Sequence, residues 1–338
     1  MSVLRHVTES ISPASAAHAE GARQNLAAAG TPVLERLAAQ LGGAQHTARP
    51  RAAHRTIVVV AGDHGVGDPG VALGASHPTV IAARAIADGT AALAQVARAS
   101  HAPILLVDAG AVERAAMPAS AVHLGRGPTR DLLIEPAMTV VDASLALEAG
   151  IALAISLGEA GLDLLAVGAI GIGAEVSSAA LLGAATGSSA VAAAAALLGD
   201  DAASDALAGD LGADVGARTA WVRGLAMSDV SALEQLAAFG GSETAVLAGL
   251  ILGAASMNVP TILDSYATGS AALVAAALAP NVRGYLVAAH AGTFTHRRIL
   301  DRLGLTPVFE VGLGHGEGTG AAMVIPLVDQ VAAIARGG

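Results

Sequence analysis

The stretch Thr56-Ile-Val-Val-Val-Ala61 gives the clearest indication of the fold. It is apolar, rich in β-branched residues, and ends at Gly62, which is followed by Asp63 and His64. A short, continuous apolar run that stops at glycine is typical of a strand buried on both faces. Such strands belong to parallel sheets covered by helices, so this stretch favours an α/β protein.

Five further runs repeat this pattern along the chain. They are Ile104–Val107, Leu162–Val167, Val259–Leu263, Tyr285–Ala289 and Val308–Val311. Each is short and mostly apolar, and most are followed by a loop and a helical pattern. This order predicts an α/β fold with a parallel sheet and crossover helices.

The two ends of the chain predict helices. Residues 1–52 contain two Ala/Leu-rich segments, Ala19–Ala29 and Thr31–Leu41, which predict two short helices. His46–His54 is basic, contains proline and predicts a linker. The pattern over Ala321–Ala335 predicts a last helix, which Pro326 is expected to kink.

The composition excludes several classes of function. The chain has 338 residues, a formal net charge of −10, no lysine and no cysteine. An acidic chain argues against nucleic-acid binding, which needs basic faces. Without lysine there is neither a Schiff-base nucleophile nor a P-loop lysine. Without cysteine there is no disulfide, thiolate metal site or cysteine nucleophile.

Two uncharged stretches, Val176–Gly199 and Thr244–Leu263, reach the length of a membrane span. They could be two spans or two buried helices. The first is mostly Ala, Gly and Ser, and the second is interrupted by Asn258 and Pro260, so we expect buried helices and no membrane. The N-terminal sequence lacks the apolar core of a signal peptide, which predicts a cytoplasmic protein.

Polar or glycine residues follow all six predicted strands. They are Asp63–His64, Asp108, the glycine-rich loop after Val167, Asp264, His290 and His315–Glu317. In open parallel sheets, ligands bind outside the carboxyl ends of the strands. We therefore expect the functional site at that edge.

The most informative of these segments is Gly312-Leu-Gly-His-Gly-Glu-Gly-Thr-Gly320. Its five glycines would let the backbone approach a ligand closely, and the helix that follows would offer unpaired N–H groups to an anion such as a phosphate. Glu317 is then a candidate general base. The alternative is a glycine-rich turn with a glutamate that caps the helix.

Three other segments allow two interpretations each. Asp63 and His64 could be a catalytic or metal-binding pair, or a turn aspartate and a packed histidine. Gly168–Gly173 resembles a phosphate loop, but it lacks the acidic partner of a dinucleotide fold. Ser242 and Glu243 could contact a substrate, or could only begin a helix over Thr244–Ala255.

The histidines match no closed metal-binding pattern. His290 and His296 are separated by five residues, and His64 and His315 lie at other predicted strand ends. Without cysteine, this spacing fits no structural zinc site. We therefore expect no metal and no cofactor.

Taken together, six motifs resemble the nicotinate-nucleotide–dimethylbenzimidazole phosphoribosyltransferase family. They are GDHGV at Gly62–Val66, VDAG at Val107–Gly110, GRGPTRDLLIEPAMT at Gly125–Thr139, GGSE at Gly240–Glu243, LDSYAT at Leu263–Thr268 and LGHGEGTGAA at Leu313–Ala322. They follow the family's order and approximate spacing from about residue 10 to the end.

The resemblance implies a Rossmann-like, three-layer fold with a small helical domain from the two chain ends, in a homodimer. On that basis residues 1–52 belong to the small domain, 53–320 form the α/β catalytic domain, and 321–338 form a helix that packs with the small domain. The implied reaction belongs to cobalamin biosynthesis. A benzimidazole nitrogen attacks C1′ of nicotinate mononucleotide, nicotinate leaves, and the anomeric centre inverts from β to α.

The resemblance gives the role of general base to Glu317. Together with the strand ends, it predicts substrate contacts at Asp63, His64, Ser76, His77, Gly171, Gly173, Ser177, Gly240, Gly241, Glu243, Asp264, His290, Gly314, His315, Gly316, Gly318 and Thr319. The donor is a monophosphate, so no magnesium–pyrophosphate site is required.

The chain departs from the family at four places near the predicted substrate pocket. The family's GEMGIGNTT is GAIGIGAEV here, so that Ala169 replaces an acidic residue. Residues 198–205 read LGDDAASD in place of a GRGTG-type loop, and AGTFTH replaces a SAEPGH-type segment after His290. The aromatic-containing segment of the base pocket reads Leu73-Gly-Ala-Ser-His-Pro78.

Three hypotheses follow. The first is transfer to dimethylbenzimidazole, and the second is the same transfer to another azole or to a phenol. The third is a nucleotide-binding subunit of a heteromeric phosphoribosyltransferase, which Glu317 argues against because such a subunit needs no base. Turnover by the purified chain separates the third from the others, and a screen of acceptor bases separates the first two.

Overall fold

A six-stranded parallel sheet forms the centre of the protein. The computed structural model describes residues 2–27, 31–67, 70–125, 127–186, 220, 223–224, 226–311, 313 and 316–336. The strands are β1 (Arg55–Gly62), β2 (Ile104–Gly110), β3 (Val122–His123), β4 (Leu164–Ile170), β5 (Thr261–Leu263) and β6 (Leu286–Ala288). Their order is β3-β2-β1-β4-β5-β6, and every neighbouring pair is parallel. The predicted α/β class is confirmed.

The sequence of β1 explains why it lies at the centre. Ile57, Val59 and Ala61 pack into the core on one face of the sheet, and Val58 and Val60 pack into the core on the other. All five side chains are fully buried. Burial of a valine or isoleucine side chain contributes about 1.5–3 kcal/mol, so the apolar run Ile57–Ala61 is stable only between two helical layers.

Helices cover both faces of the sheet. One layer contains α1 (Val3–Ser10), α6 (Val140–Glu159), α7 (Ala174–Thr186), α8 (Ala232–Phe239), α9 (Ser242–Ser256), α10 (Tyr266–Leu278) and part of α11 (Phe294–Leu303). The other contains α2 (Ala16–Leu26), α3 (Pro32–Ala44), α4 (Pro78–Ala87), α5 (Ala92–Ala99) and α12 (Thr319–Ala335). Short 3-10 turns lie at Gly74–Ser76, Arg114–Ala116 and Pro280–Tyr285.

The structure differs from the sequence predictions in three elements. The N-terminal segment has three helices where we predicted two, because the prediction omitted α1, which has only eight residues and buries only Val7. The predicted strand Val308–Val311 is wrong, since only Phe309 bridges to His290 before the glycine-rich loop begins. The edge strand β3 was missed because its two residues are exposed.

The ends of the chain meet on one face of the sheet. Leu37 and Leu41 of α3 share a core with Val324 and Val328 of α12, which continues through Pro326. This contact brings together the two segments that the family resemblance assigns to a small domain. The division into domains remains a prediction.

The described parts of the two uncharged stretches are mostly buried. Thr244–Leu263 forms most of α9 and all of β5, and it is buried except for a few residues near the end of α9. The first stretch is a buried helix from Val176 to Ala184. The part from 187 to 199 lies outside the described residues. Two other helical segments, Pro78–Ala99 and Val140–Glu159, are long and apolar enough to cross a membrane by length and composition. The absence of a membrane therefore remains a prediction.

Candidate active site

A cavity of about 320 Å³ lies at the carboxyl ends of β4 and β5. Its walls come from the loop after β4, the first turn of α10, the first turns of α4, the start of α9 and the glycine-rich loop before α12. The lining residues are Pro78, Thr79, Ala82, Ala169, Ile170, Gly171, Ala174, Glu243, Ser265, Tyr266, Ala267, Gly316 and Glu317. A cavity of this size fits part of a small organic ligand.

Glu317 brings a carboxylate to this cavity. The residue is half-buried, and within the described chain its carboxylate makes no hydrogen bond. Ala169 lines the same cavity, so the position of the family's acidic residue contributes a methyl group here. Glu317 is therefore a carboxylate that remains free to accept a proton from a ligand.

Asp63 holds the walls of the cavity together. It is buried, and its Oδ1 atom accepts hydrogen bonds from the hydroxyl of Thr79 (2.5 Å) and the N–H of Ile172 (3.1 Å). Its Oδ2 atom accepts from the N–H of Val112 at 2.8 Å. These bonds join the start of α4 to the loops after β2 and β4. Both oxygens therefore accept hydrogen bonds from the protein itself, and the role of Asp63 as a substrate contact remains a prediction.

His64 and Glu243 form a buried pair next to the cavity. His64 Nε2 and Glu243 Oε1 are 2.9 Å apart, and the Thr244 hydroxyl donates to the same oxygen at 2.8 Å. Burial alone would lower the pKa of His64, but the Glu243 carboxylate raises it overall. Burial would likewise raise the pKa of Glu243, but His64 and Thr244 lower it overall. Both directions favour the ionic form of the pair. Glu243 also lines the cavity.

The glycine-rich loop after β4 lies between the cavity and His64. Gly171 lines the cavity, and Gly173 has a φ of +81° directly before α7. A Cβ atom on Gly173 would lie 2.9 Å from the Cβ of His64. The loop therefore passes this close to His64 only because Gly173 has no side chain. Ser177 lies farther along α7 and donates to the carbonyl of Phe239 at 2.7 Å, away from the cavity.

Four other predicted contact residues are near the cavity but do not line it. Ser76 is exposed, and His77 is buried and accepts from the N–H of Thr79 at the start of α4. Gly240 ends α8 and Gly241 precedes α9. A Cβ on Gly241 would collide with the Glu243 carboxylate, so glycine leaves room for that side chain.

Asp264 and His290 lie behind the glycine-rich loop that precedes α12. Asp264 is fully buried, and its two oxygens accept from the N–H groups of Gly318 and Ala321. The N-terminus of α12, where we expected an anion such as a phosphate, therefore already holds a carboxylate. His290 is also buried, with its ring 5.3 Å from that of His296. Thr319 is the first residue of α12.

Two predicted contacts, Gly314 and His315, lie outside the described residues, as do residues 198–205. Sequence reasoning missed Thr79, Ser265, Tyr266 and Ala267, which line the cavity. Three of these follow Asp264 directly, so the rule that places ligands at strand ends could have found them. Burial raises the pKa of Tyr266, whose hydroxyl lies 3.5 Å from Glu175.

The described residues contain no group of three or more histidine and acidic side chains that could hold a metal ion. The parallel sheet and the cavity at its carboxyl edge define a Rossmann-like α/β fold with a candidate ligand site. The profile of a phosphoribosyltransferase family matches residues 8–337. The chain belongs to this family and is a phosphoribosyltransferase.

Its relatives carry a more particular name. A nicotinate-nucleotide–dimethylbenzimidazole phosphoribosyltransferase of a Roseiflexus species is 35% identical over 87% of this chain and 82% of its own length. One from Salinispora tropica is 36% identical over 88% and 84%. The crystal structure of the enzyme of that name from Thermus thermophilus has a TM-score of 0.76 and 30% identity, and covers 95% of this chain and 96% of its own.

Proposed function

We propose that the protein transfers the 5-phosphoribosyl group from nicotinate mononucleotide to a benzimidazole-type base. The products are an α-ribazole phosphate and nicotinate. The free Glu317 carboxylate at the cavity, in a chain of this family, carries the proposal. Turnover of the two substrates by the purified chain, followed by chromatography of both products, is the experiment that tests it.

The proposed mechanism needs a general base that takes the acceptor's proton and a carboxylate near C1′ that stabilises positive charge. A neutral azole is a weak nucleophile, so Glu317 takes the ring N–H proton while the other ring nitrogen attacks C1′. The C1′–N bond to nicotinate breaks, and its electron pair returns to the pyridine nitrogen. Positive charge develops at C1′ on the way, which a nearby carboxylate stabilises. Glu317 is then reset by loss of the proton to water.

Apolar residues supply a fitting surface for a planar base. Pro78, Ala82, Ala169 and Ile170 line the cavity together with the ring of Tyr266. Ligand cavities of this kind bind mainly by apolar contact and orient the ligand with a few polar groups. In this cavity, Glu317 and Glu243 are the acidic groups available for that purpose.

A second candidate function is the same transfer to another azole or to a phenol. Ala169 favours it, because the carboxylate that could accept a hydrogen bond from the acceptor ring is missing there. Discrimination between acceptor bases depends on buried polar groups of the enzyme that the wrong base leaves without a hydrogen bond. Glu175 could replace the missing carboxylate, since it is near Tyr266 at the cavity.

We expect dimethylbenzimidazole not to be clearly preferred over other azoles. The measurement is kcat/KM for a panel of benzimidazoles, purines and phenols, with nicotinate mononucleotide as donor. Glu175→Gln, run on the same panel, tests whether Glu175 has taken over the missing role. A preference above roughly a hundredfold (about 2.7 kcal/mol) for dimethylbenzimidazole in the wild type would contradict the expectation.

A cytoplasmic homodimer is part of the same proposal. The start of α6 and the loop before it expose large apolar side chains, with Ile134 79%, Val141 66% and Leu145 49% accessible. Apolar side chains exposed together in this way mark association surfaces. Light scattering should give twice the chain mass for the wild type and the single mass for the double variant Val141→Glu, Leu145→Glu. A monomeric wild type would refute this part.

A further inference from the structure

Two hydrogen bonds fix the backbone on either side of Glu317. The carbonyl of Gly316 accepts from the N–H of Ala169 in β4 at 3.0 Å. The N–H of Gly318 donates to Oδ2 of Asp264, directly after β5, at 2.9 Å. Because β4 and β5 are paired in the sheet, Glu317 is held between two rigid points.

Asp264 uses both of its carboxylate oxygens to hold the backbone at the start of α12. Its Oδ1 atom accepts from the N–H of Ala321 at 2.8 Å, and the side chain is fully buried. Burial raises the pKa of Asp264, while the N–H groups of Ala321 and Gly318 oppose the rise. Within the described chain, no arginine or histidine forms a salt bridge with it. Both of its hydrogen-bond partners therefore lie in α12 and the loop before it, and the buried carboxylate does not line the cavity.

The glycines of the loop fit against Asp264 and its neighbours. A Cβ atom on Gly316 would collide with the side chain of Ser265. One on Gly320 would collide with the ring of His290 and would lie 2.8 Å from Oδ1 of Asp264. These two glycines thus allow the loop to pack directly against Ser265, His290 and Asp264. The sequence pattern instead predicts that glycines here let the backbone approach a ligand.

We propose that Asp264 is the positioning residue for the catalytic carboxylate. By holding Gly318 and Ala321, it sets where the Glu317 side chain enters the cavity. Asparagine has nearly the same shape but only one acceptor oxygen, and its NH₂ group would face a backbone N–H. Asp264→Asn therefore breaks one of the two bonds at little change in volume. The inference rests on the proposed role of Glu317 as general base.

The test compares the dependence on acceptor acidity in three variants. Asp264→Asn should lower kcat by roughly 10²-fold, the effect typical of a 1 Å displacement of reacting groups. KM for nicotinate mononucleotide should remain close to the wild-type value. The loss should shrink for more acidic acceptors, such as chloro- and nitrobenzimidazoles, since these lose the N–H proton with less help from a base. Glu317→Gln should show the same trend more strongly.

Asp108→Asn is the control for loss of a buried carboxylate away from the cavity. Asp108 is buried and accepts a backbone N–H, that of Ala111 at 2.8 Å, and its other oxygen lies 2.8 Å from His123 Nδ1. It lies in β2 and does not line the cavity. This variant should lose stability without a trend in acceptor acidity. If Asp264→Asn does not fold, Gly320→Ala displaces the loop from an intact Asp264 and should give the same trend.

The outcomes separate the two proposals. An unchanged kcat in Asp264→Asn, or a loss equal for all acceptors, alongside a strong loss in Glu317→Gln, overturns the positioning role alone. A Glu317→Gln enzyme that keeps its rate overturns the role of Glu317 and the positioning role with it. A shared trend in both variants, absent from Asp108→Asn, supports the inference.

Discussion

Glu317→Gln should lower kcat by about 10²–10⁴-fold, the usual contribution of a positioned general base. Glutamine keeps the size and the polarity of the side chain but cannot take the proton from the acceptor ring. Binding of nicotinate mononucleotide should remain, because the residue is half-buried at the edge of the cavity and the rest of the wall is unchanged. Steady-state turnover at saturating substrates and calorimetric binding of the donor measure the two effects.

Glu310→Gln provides the control for this experiment. Glu310 is an exposed glutamate seven residues earlier, outside the cavity, and lies 3.7 Å from Arg297. The Glu310→Gln variant should have the same kcat as the wild type. If Glu317→Gln retains more than roughly a tenth of the wild-type rate, well above the range expected for loss of a base, the base is another group.

The sequence predicts the sheet well because the signals for it are local. Runs such as Thr56–Ala61 are short and mostly apolar, and their apolar side chains are buried on both faces of the sheet. Five of the six predicted strands exist in the sheet, and the exception, Val308–Val311, forms only the Phe309 bridge. Local pattern cannot show whether a short apolar run before a glycine-rich loop pairs with the sheet over one residue or over four.

The roles of individual side chains depend on partners far away in the sequence. His64 and Glu243 are 179 residues apart in the sequence. Asp264 accepts a hydrogen bond from the N–H of Gly318, 54 residues later. Asp63, His64 and Asp264 follow strands as the sequence predicted. Nothing local distinguishes a residue that binds a substrate from one that holds a loop. The same ambiguity affected the glycines of the loop before α12, two of which accommodate Ser265 and His290.

Separate removal of either member of the His64–Glu243 pair should cost about 3–5 kcal/mol of unfolding free energy, because each leaves a buried group without its partner. In His64→Ala, the Glu243 carboxylate keeps only the Thr244 hydroxyl among its side-chain partners. The double variant His64→Ala, Glu243→Ala should lose less than the sum of the two, with a coupling of about 1–3 kcal/mol. Denaturant unfolding of the four proteins gives the cycle.

Arg5–Glu9 is the control pair, since it has the same ionic contact without the burial. Its N–O distance is 2.8 Å with side chains 69% and 55% exposed, against 2.9 Å and 0% and 2% for His64–Glu243. The same cycle there should give a coupling of about 0.2–1 kcal/mol. Equal couplings in the two cycles would show that burial adds nothing to the internal pair.

The dependence on pH gives the buried pair a second test. His64 has a raised pKa, so its contribution is complete below the ordinary value of 6.5 and is lost as the pH rises through the raised value. Glu243 has a lowered pKa, so its contribution is complete above 4.5 and is lost as the pH falls through the lowered value. The coupling should therefore be largest between these two ordinary values. A coupling that stays constant from pH 6.5 to pH 9, instead of falling, would mean that His64 is neutral in the folded protein and that the pair is a hydrogen bond without ionic character.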